Sequence, residues 1–193
     1  MDNKIFCLET EWEQSIHDMK YESQAQPLLE FLYNSNGIGY AFRQVATKED
    51  FDYYISHLAR ASYKDYNIVY LCFHGNKGII AFADSGKYGS KASIGLLDFA
   101  QENHGIFEGK VVHFGSCSTF KVDEDEIKSF KSLTKASMVC GYQKDVEMTG
   151  SFIFEAWLLN ALYSHPNYRS KRLLDLAQKE MMYFVDKYRF VAY

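Results

Sequence analysis

Three runs of the sequence consist almost entirely of β-branched, aromatic and aliphatic side chains: "NIVYLCF" from Asn67 to Phe73, "KVVHF" from Lys110 to Phe114, and "ASMVCGY" from Ala136 to Tyr142. A strand apolar on both faces must be covered on both, the condition of a parallel sheet sandwiched between helices. The segments around these runs carry the helical period instead. Thr47 with Asp50 resembles a capping box, and Phe51, Tyr54, Ile55 and Leu58 follow at i, i+3, i+4 and i+7. "PLLEFLYNS" reads as a helix with Pro27 near its start and Gly37 just past its end. Asp123 and Glu126 can cap "EDEIKSFKSLT", and "SFIFEAWLLNALY" is a helix apolar around most of its circumference. Leu173, Leu174, Ala177, Met181, Phe184 and Val185 give a last helix its stripe. Further strands are expected at "IFCL" and "IGYAFRQV". "GIIAFAD", a Gly- and Ser-rich turn near Lys87 to Ser90 and "IGLLDFAQEN" read as a short hairpin followed by a helix. "RFVAY" is either an edge strand or a tail. This alternation predicts an α/β protein, a three-layer α/β/α fold with a mostly parallel sheet, in a single domain over residues 1–193.

The chain has 193 residues, 47% of them hydrophobic, with 15 Phe, 15 Tyr and only 2 Pro, which suits one substantial core. A formal charge of −4 gives no electrostatic footprint for nucleic acid, and Arg169, Lys171 and Arg172 read as a solvated helix start. The opening "MDNKIFCLETEWE" lacks the pattern of a signal peptide, and "FIFEAWLLNALY", interrupted by Glu155, is well short of the roughly 20 residues needed to cross a bilayer. Cys7, Cys72, Cys117 and Cys140 each lie in or at the end of an apolar run, so free thiols in a reducing cytoplasm are expected, without membrane contact.

Two of the apolar runs end on reactive groups. "IVYLCFHGNKG" reaches His74 and Gly75, and "KVVHFGSCST" reaches Cys117 behind Gly115 and Ser116. In parallel sheets ligands bind beyond the carboxyl ends of strands, and neighbouring strands are about 4.8 Å apart. The two endings are about forty residues apart in the chain, enough for the crossover that parallel neighbours require. A thiol near pKa 8.5 is mostly protonated at neutral pH and needs a base, for which imidazole is suited. Gly75, without a Cβ, lets its backbone N–H approach a substrate carbonyl, and with the N–H of Cys117 it would form an oxyanion hole.

An apolar strand ending in His-Gly, followed by one ending in small-small-Cys, resembles the caspase-like cysteine peptidases, which include caspases, legumains, gingipains, separases and CHAT proteases. "FGSCST" is closer to the CHAT pattern than to the Gln-Ala-Cys of caspases. "SMVCGYQKDVEMTGSFIFEAWLLNAL" resembles the CHAT strand, acidic turn and long helix, so the likeness runs from about residue 66 to 163. The opening "IFCLETEW" also resembles that of small bacterial CHAT-like proteins. The resemblance implies a cysteine endopeptidase acting on a protein or peptide substrate, with His74 and Cys117 catalytic, an oxyanion hole at Gly75 and Cys117, and no cofactor. Two departures stand against it. Gly115 and Ser116 occupy the places where caspases and metacaspases have Gln or Asp, and the chain has no room for the further domains that usually accompany CHAT modules.

Cys7, Cys72, Cys140 and His113 read as ordinary core residues. Cys72, His74, His113 and Cys117 offer four zinc-ligand types, but C-x-H and H-x3-C match no common signature, so no metal is expected. Asp145 and Glu147, past "VCGY", would suit a substrate-binding pocket for a basic P1 side chain, with Ser116 beside it; they would equally serve as the acidic first turn of the next helix. Glu9 and Glu11 either face the cleft or cap a turn. The rival to a peptidase is a catalytically silent caspase-like domain that binds a regulatory protein partner.

Overall fold

Successive side chains of the central strands enter two different cores. The computed structural model describes residues 3–11, 23–82 and 92–193, and the turn expected near residues 87–90 lies outside them. In chain order the elements are β1 (Ile5–Thr10), α1 (Ala25–Asn36), β2 (Tyr40–Val45), α2 (Lys48–Ile55), two short 3-10 turns within 56–63, β3 (Ile68–Cys72), β4 (His74–Asn76), β5 (Ile79–Ala81) and β6 (Ser93–Gly95). Then follow α3 (Leu96–Glu102), β7 (Val111–Phe114), α4 (Glu124–Thr134), β8 (Met138–Tyr142), α5 (Met148–Ser164), α6 (Ser170–Tyr188) and β9 (Phe190–Ala192).

The main sheet runs β2-β1-β3-β7-β8-β9. All its pairings are parallel except that of β9, which lies antiparallel on β8 as an edge strand. Ile5, Cys7, Tyr70, Cys72, Met138 and Cys140 pack beneath α1, α5 and α6. Phe6, Leu8, Val69, Leu71, Val112 and Val139 face the other way, onto α2, α3 and α4. Helices on both faces of one sheet make the three-layer α/β/α fold.

Local chemistry sets the helix limits. The Thr47 side chain accepts from the Asp50 amide and the Asp50 carboxylate from the Thr47 amide, each at 3.2 Å, which closes the capping box of α2. Gly37, at φ 71°, ends α1 in the left-handed conformation that glycine adopts without steric cost. At α4 the expectation is met only in position: Asp123 is the N-cap residue, but its side chain makes no capping hydrogen bond. No helix among the described residues is long and apolar enough to cross a membrane.

Candidate active site

β3 and β7 are adjacent and parallel, with Leu71 opposite Phe114, and the Gly115 amide donates to the Leu71 carbonyl at 2.9 Å. His74 and Cys117 therefore leave the sheet at neighbouring carboxyl ends. His74 opens β4, a strand absent from the sequence reading, and pairs with Ala81 in the small antiparallel sheet β4-β5-β6. That sheet is stitched to the cysteine turn. The Gly78 amide donates to the Thr119 carbonyl at 3.1 Å, and the Thr119 hydroxyl lies 3.4 Å from the Ile79 carbonyl. Between them Gly75 is seated so closely that a Cβ would lie 2.3 Å from the Cys117 carbonyl oxygen, 2.4 Å from Thr119 Oγ1 and 2.8 Å from Ser116 Cβ. Only glycine fits there; the residue before it, His74, and Cys117 itself are both half-buried.

The cysteine turn is fixed equally firmly to the loop after β8. Ser118, in the left-handed region at φ 52°, donates its amide to the Lys144 carbonyl at 3.1 Å and its hydroxyl to Asp145 Oδ1. The Val146 amide donates to Cys117 Sγ at 3.4 Å, and the Val146 carbonyl lies 3.6 Å from the same sulfur. Burial pushes the Cys117 thiol above its ordinary pKa; the Val146 amide acts against that shift and the Asp145 carboxylate acts with it. The resting side chain is thus a neutral thiol already holding one donor suited to its anion.

A family model described as a family of unknown function, DUF6642, matches residues 2–168. The chain belongs to this family. No curated protein matches it. The DUF6642 match takes in every element from β1 to α5, including both the His74 hairpin and the Cys117 turn, and stops short of α6 and β9.

In this DUF6642 chain the remaining expected residues divide. Asp145 is exposed and tied to Ser118, next to the cysteine turn. Glu147 is the N-cap residue of α5 but caps nothing with its side chain. Its carboxylate accepts from the Tyr188 hydroxyl and from Lys187 Nζ at 2.9 Å, and these bonds, Tyr188 first, hold its pKa down at about 2. Ser116 is buried with its hydroxyl 2.8 Å from Thr119 Oγ1, so it shapes the turn from within. Glu9 is buried at the end of β1, where its carboxylate accepts from the Gln24 and Ala25 amides at 2.7 and 2.8 Å and caps α1. Cys7, Cys72, Cys140 and His113 are core residues, as expected.

Beneath the turn lies a buried polar cluster that no sequence pattern announces. Glu155, 4% exposed, accepts from the Tyr70 hydroxyl at 2.5 Å and from the Tyr142 hydroxyl at 3.1 Å, with His113 Nε2 at 3.3 Å. Burial raises the Cys140 thiol far above its ordinary range, so it remains S–H beside His113 Nδ1 at 3.6 Å. Cys140, His113 and Glu155 look like a catalytic triad in residue type, but all are sealed in the core. One cavity, of about 550 Å³, lies at the amino ends of β3 and β7, the pole opposite Cys117, and another, of about 660 Å³, runs along α4 beside Ala192 and Tyr193; neither is lined by His74 or Cys117.

Proposed function

We propose that this protein is a caspase-like cysteine endopeptidase. Cys117 is its nucleophile, His74 its acid and base, and the Gly75 and Cys117 amides its oxyanion hole. The observation that carries this is the seating of Gly75 against the Cys117 turn at the carboxyl ends of two adjacent parallel strands. In the reaction, His74 takes the thiol proton as Sγ bonds to the scissile carbonyl carbon, whose oxygen becomes the anion. The imidazolium then gives the proton to the leaving amine and the carbon–nitrogen bond breaks; water, deprotonated by His74, attacks the thioester carbon, the carbon–sulfur bond breaks to release the acid, and the imidazolium returns the proton to Sγ. Because burial keeps the resting thiol neutral, proton removal is coupled to attack rather than completed beforehand. The proposal includes a protein or peptide substrate, no cofactor, and a reducing cytoplasmic setting, which suits four free thiols.

Specificity is a finer proposal. Asp145, beside the turn and exposed, is the carboxylate offered for a basic P1 residue, whereas Glu147 is committed to α6. Asp145→Ala should reduce a Lys or Arg P1 preference in a peptide-library profile. An apolar or acidic preference would remove Asp145 from the pocket.

The principal test is selective labelling by a peptidyl acyloxymethyl ketone, mapped by mass spectrometry. Cys117→Ala and His74→Ala should each abolish it in folded protein. Labelling that persists without His74 would favour the silent, partner-binding domain, a reading supported by the neutral thiol engaged with Val146.

A further inference from the structure

Gly115, the first residue of the cysteine turn, has no space for a side chain. A Cβ there would lie 2.6 Å from Tyr70 Cε2 and 2.8 Å from Glu155 Oε1. The turn therefore rests directly on a buried carboxylate. Each of the three groups hydrogen-bonded to that carboxylate, the Tyr70 and Tyr142 hydroxyls and His113 Nε2, can donate, and they come from three adjacent strands, β3, β8 and β7. A carboxylate in an apolar helix is costly unless such donors surround it, and a fully satisfied buried network fixes one arrangement of the groups that make it. We propose that Glu155 is a positioning residue for Cys117: its buried carboxylate, clamped by Tyr70, Tyr142 and His113, is the floor on which the turn from Gly115 to Cys117 is seated.

The proposal rests on the reading of Cys117 as the nucleophile. Around Glu155 the titratable neighbours are Tyr70 and Cys72 on β3, His113 on β7, Cys140 and Tyr142 on β8, with Cys7 on β1 and Tyr188 on α6 farther off. Burial raises the thiols and phenols among them, so at neutral pH they remain protonated. The charge of Glu155 itself acts to keep Cys117 protonated.

The test is the pH–rate profile of iodoacetamide alkylation at Cys117 in the full chain, with thermal unfolding as the control for folding. Glu155→Gln keeps the shape and removes the charge. It should lower the Cys117 midpoint and leave the plateau rate within about twofold, as expected when one nearby charge is lost from a partly screened site. Gly115→Ala drives a methyl into the floor and should change the plateau by about fivefold or more, because displacements on the scale of an ångström alter reactivity strongly. A folded Gly115→Ala variant whose plateau matches the wild type overturns the proposal; if that variant does not fold, a folded Glu155→Ala variant whose profile superimposes on the wild type does so. A His74→Ala control separates the two readings. If Cys117 labelling is indifferent to His74, the peptidase falls, while the effect of Glu155 is still read on the thiol itself.

Discussion

At the scale of a residue, Gly75 is the tightest constraint on the site, because a single methyl would collide with the Cys117 carbonyl and the Thr119 hydroxyl at once. Both obstacles belong to the cysteine turn, so Gly75→Ala must part the hairpin from it. Labelling of Cys117 by a peptidyl electrophile should fall by roughly tenfold or more, a typical consequence of small misplacement at a reacting centre. The four thiols should also separate cleanly. Burial raises Cys7, Cys72 and Cys140 and seals them from reagent, whereas Cys117 is half-exposed, so iodoacetamide should modify Cys117 first. Its own raised pKa makes the alkylation rate climb with pH, with a midpoint above the ordinary thiol value. Equal labelling of all four in folded protein would contradict this. The His-Gly and small-small-Cys endings were legible because special residues interrupted an apolar run. Glu155 was not, since one carboxylate in a helix says nothing of the donors that adjacent strands will bring to it.

Among elements, the joint between α5 and α6 depends on Glu147. Gly150 leaves the space for it, since a Cβ there would sit 2.0 Å from the Tyr188 hydroxyl and 2.3 Å from Glu147 Oε1. The carboxylate titrates at about 2 in the folded protein, below the usual value of about 4.3 for a free glutamate. A depressed acid stabilises the fold above its unfolded pKa and loses that contribution as pH falls through the folded one. Wild-type thermal stability should therefore decline between about pH 4 and pH 2 more steeply than that of Glu147→Gln, and the two curves should converge at the acid end. Parallel curves would show that Lys187 and Tyr188 give Glu147 no net advantage over the unfolded chain. Capping chemistry and the helical period made α1, α2 and α6 readable in advance, and a long run apolar around its circumference did so for α5. β4 was not, because three residues, His74 to Asn76, are too few to show a period, and their pairing with β5 is a tertiary choice.

In the whole molecule, one sheet serves two cores, so damage to either should be felt by both. Phe51 packs among Phe73, Phe82 and Phe99 at ring separations of 5.4, 5.5 and 5.3 Å on one face. Phe154 packs on Trp157 and Phe190 at 5.7 and 5.0 Å on the other. Either residue changed to Ala should cost about 3–5 kcal/mol and shift a single denaturant transition, observed alike by far-UV circular dichroism and tryptophan fluorescence. Two separated transitions would show that the layers unfold independently. The loop that carries Asp145 and Val146 receives its backbone support from the edge of this sheet, where the Gln143 and Lys144 amides donate to the Arg189 and Tyr188 carbonyls at 3.2 Å each. A ribosome delivers residues 143 and 144 well before 188 and 189. The nascent chain can thus hold His74 and Cys117 while the brace behind them has yet to be made, and a protein so ordered would pass the later part of its synthesis with the Cys117 thiol not yet fixed in place.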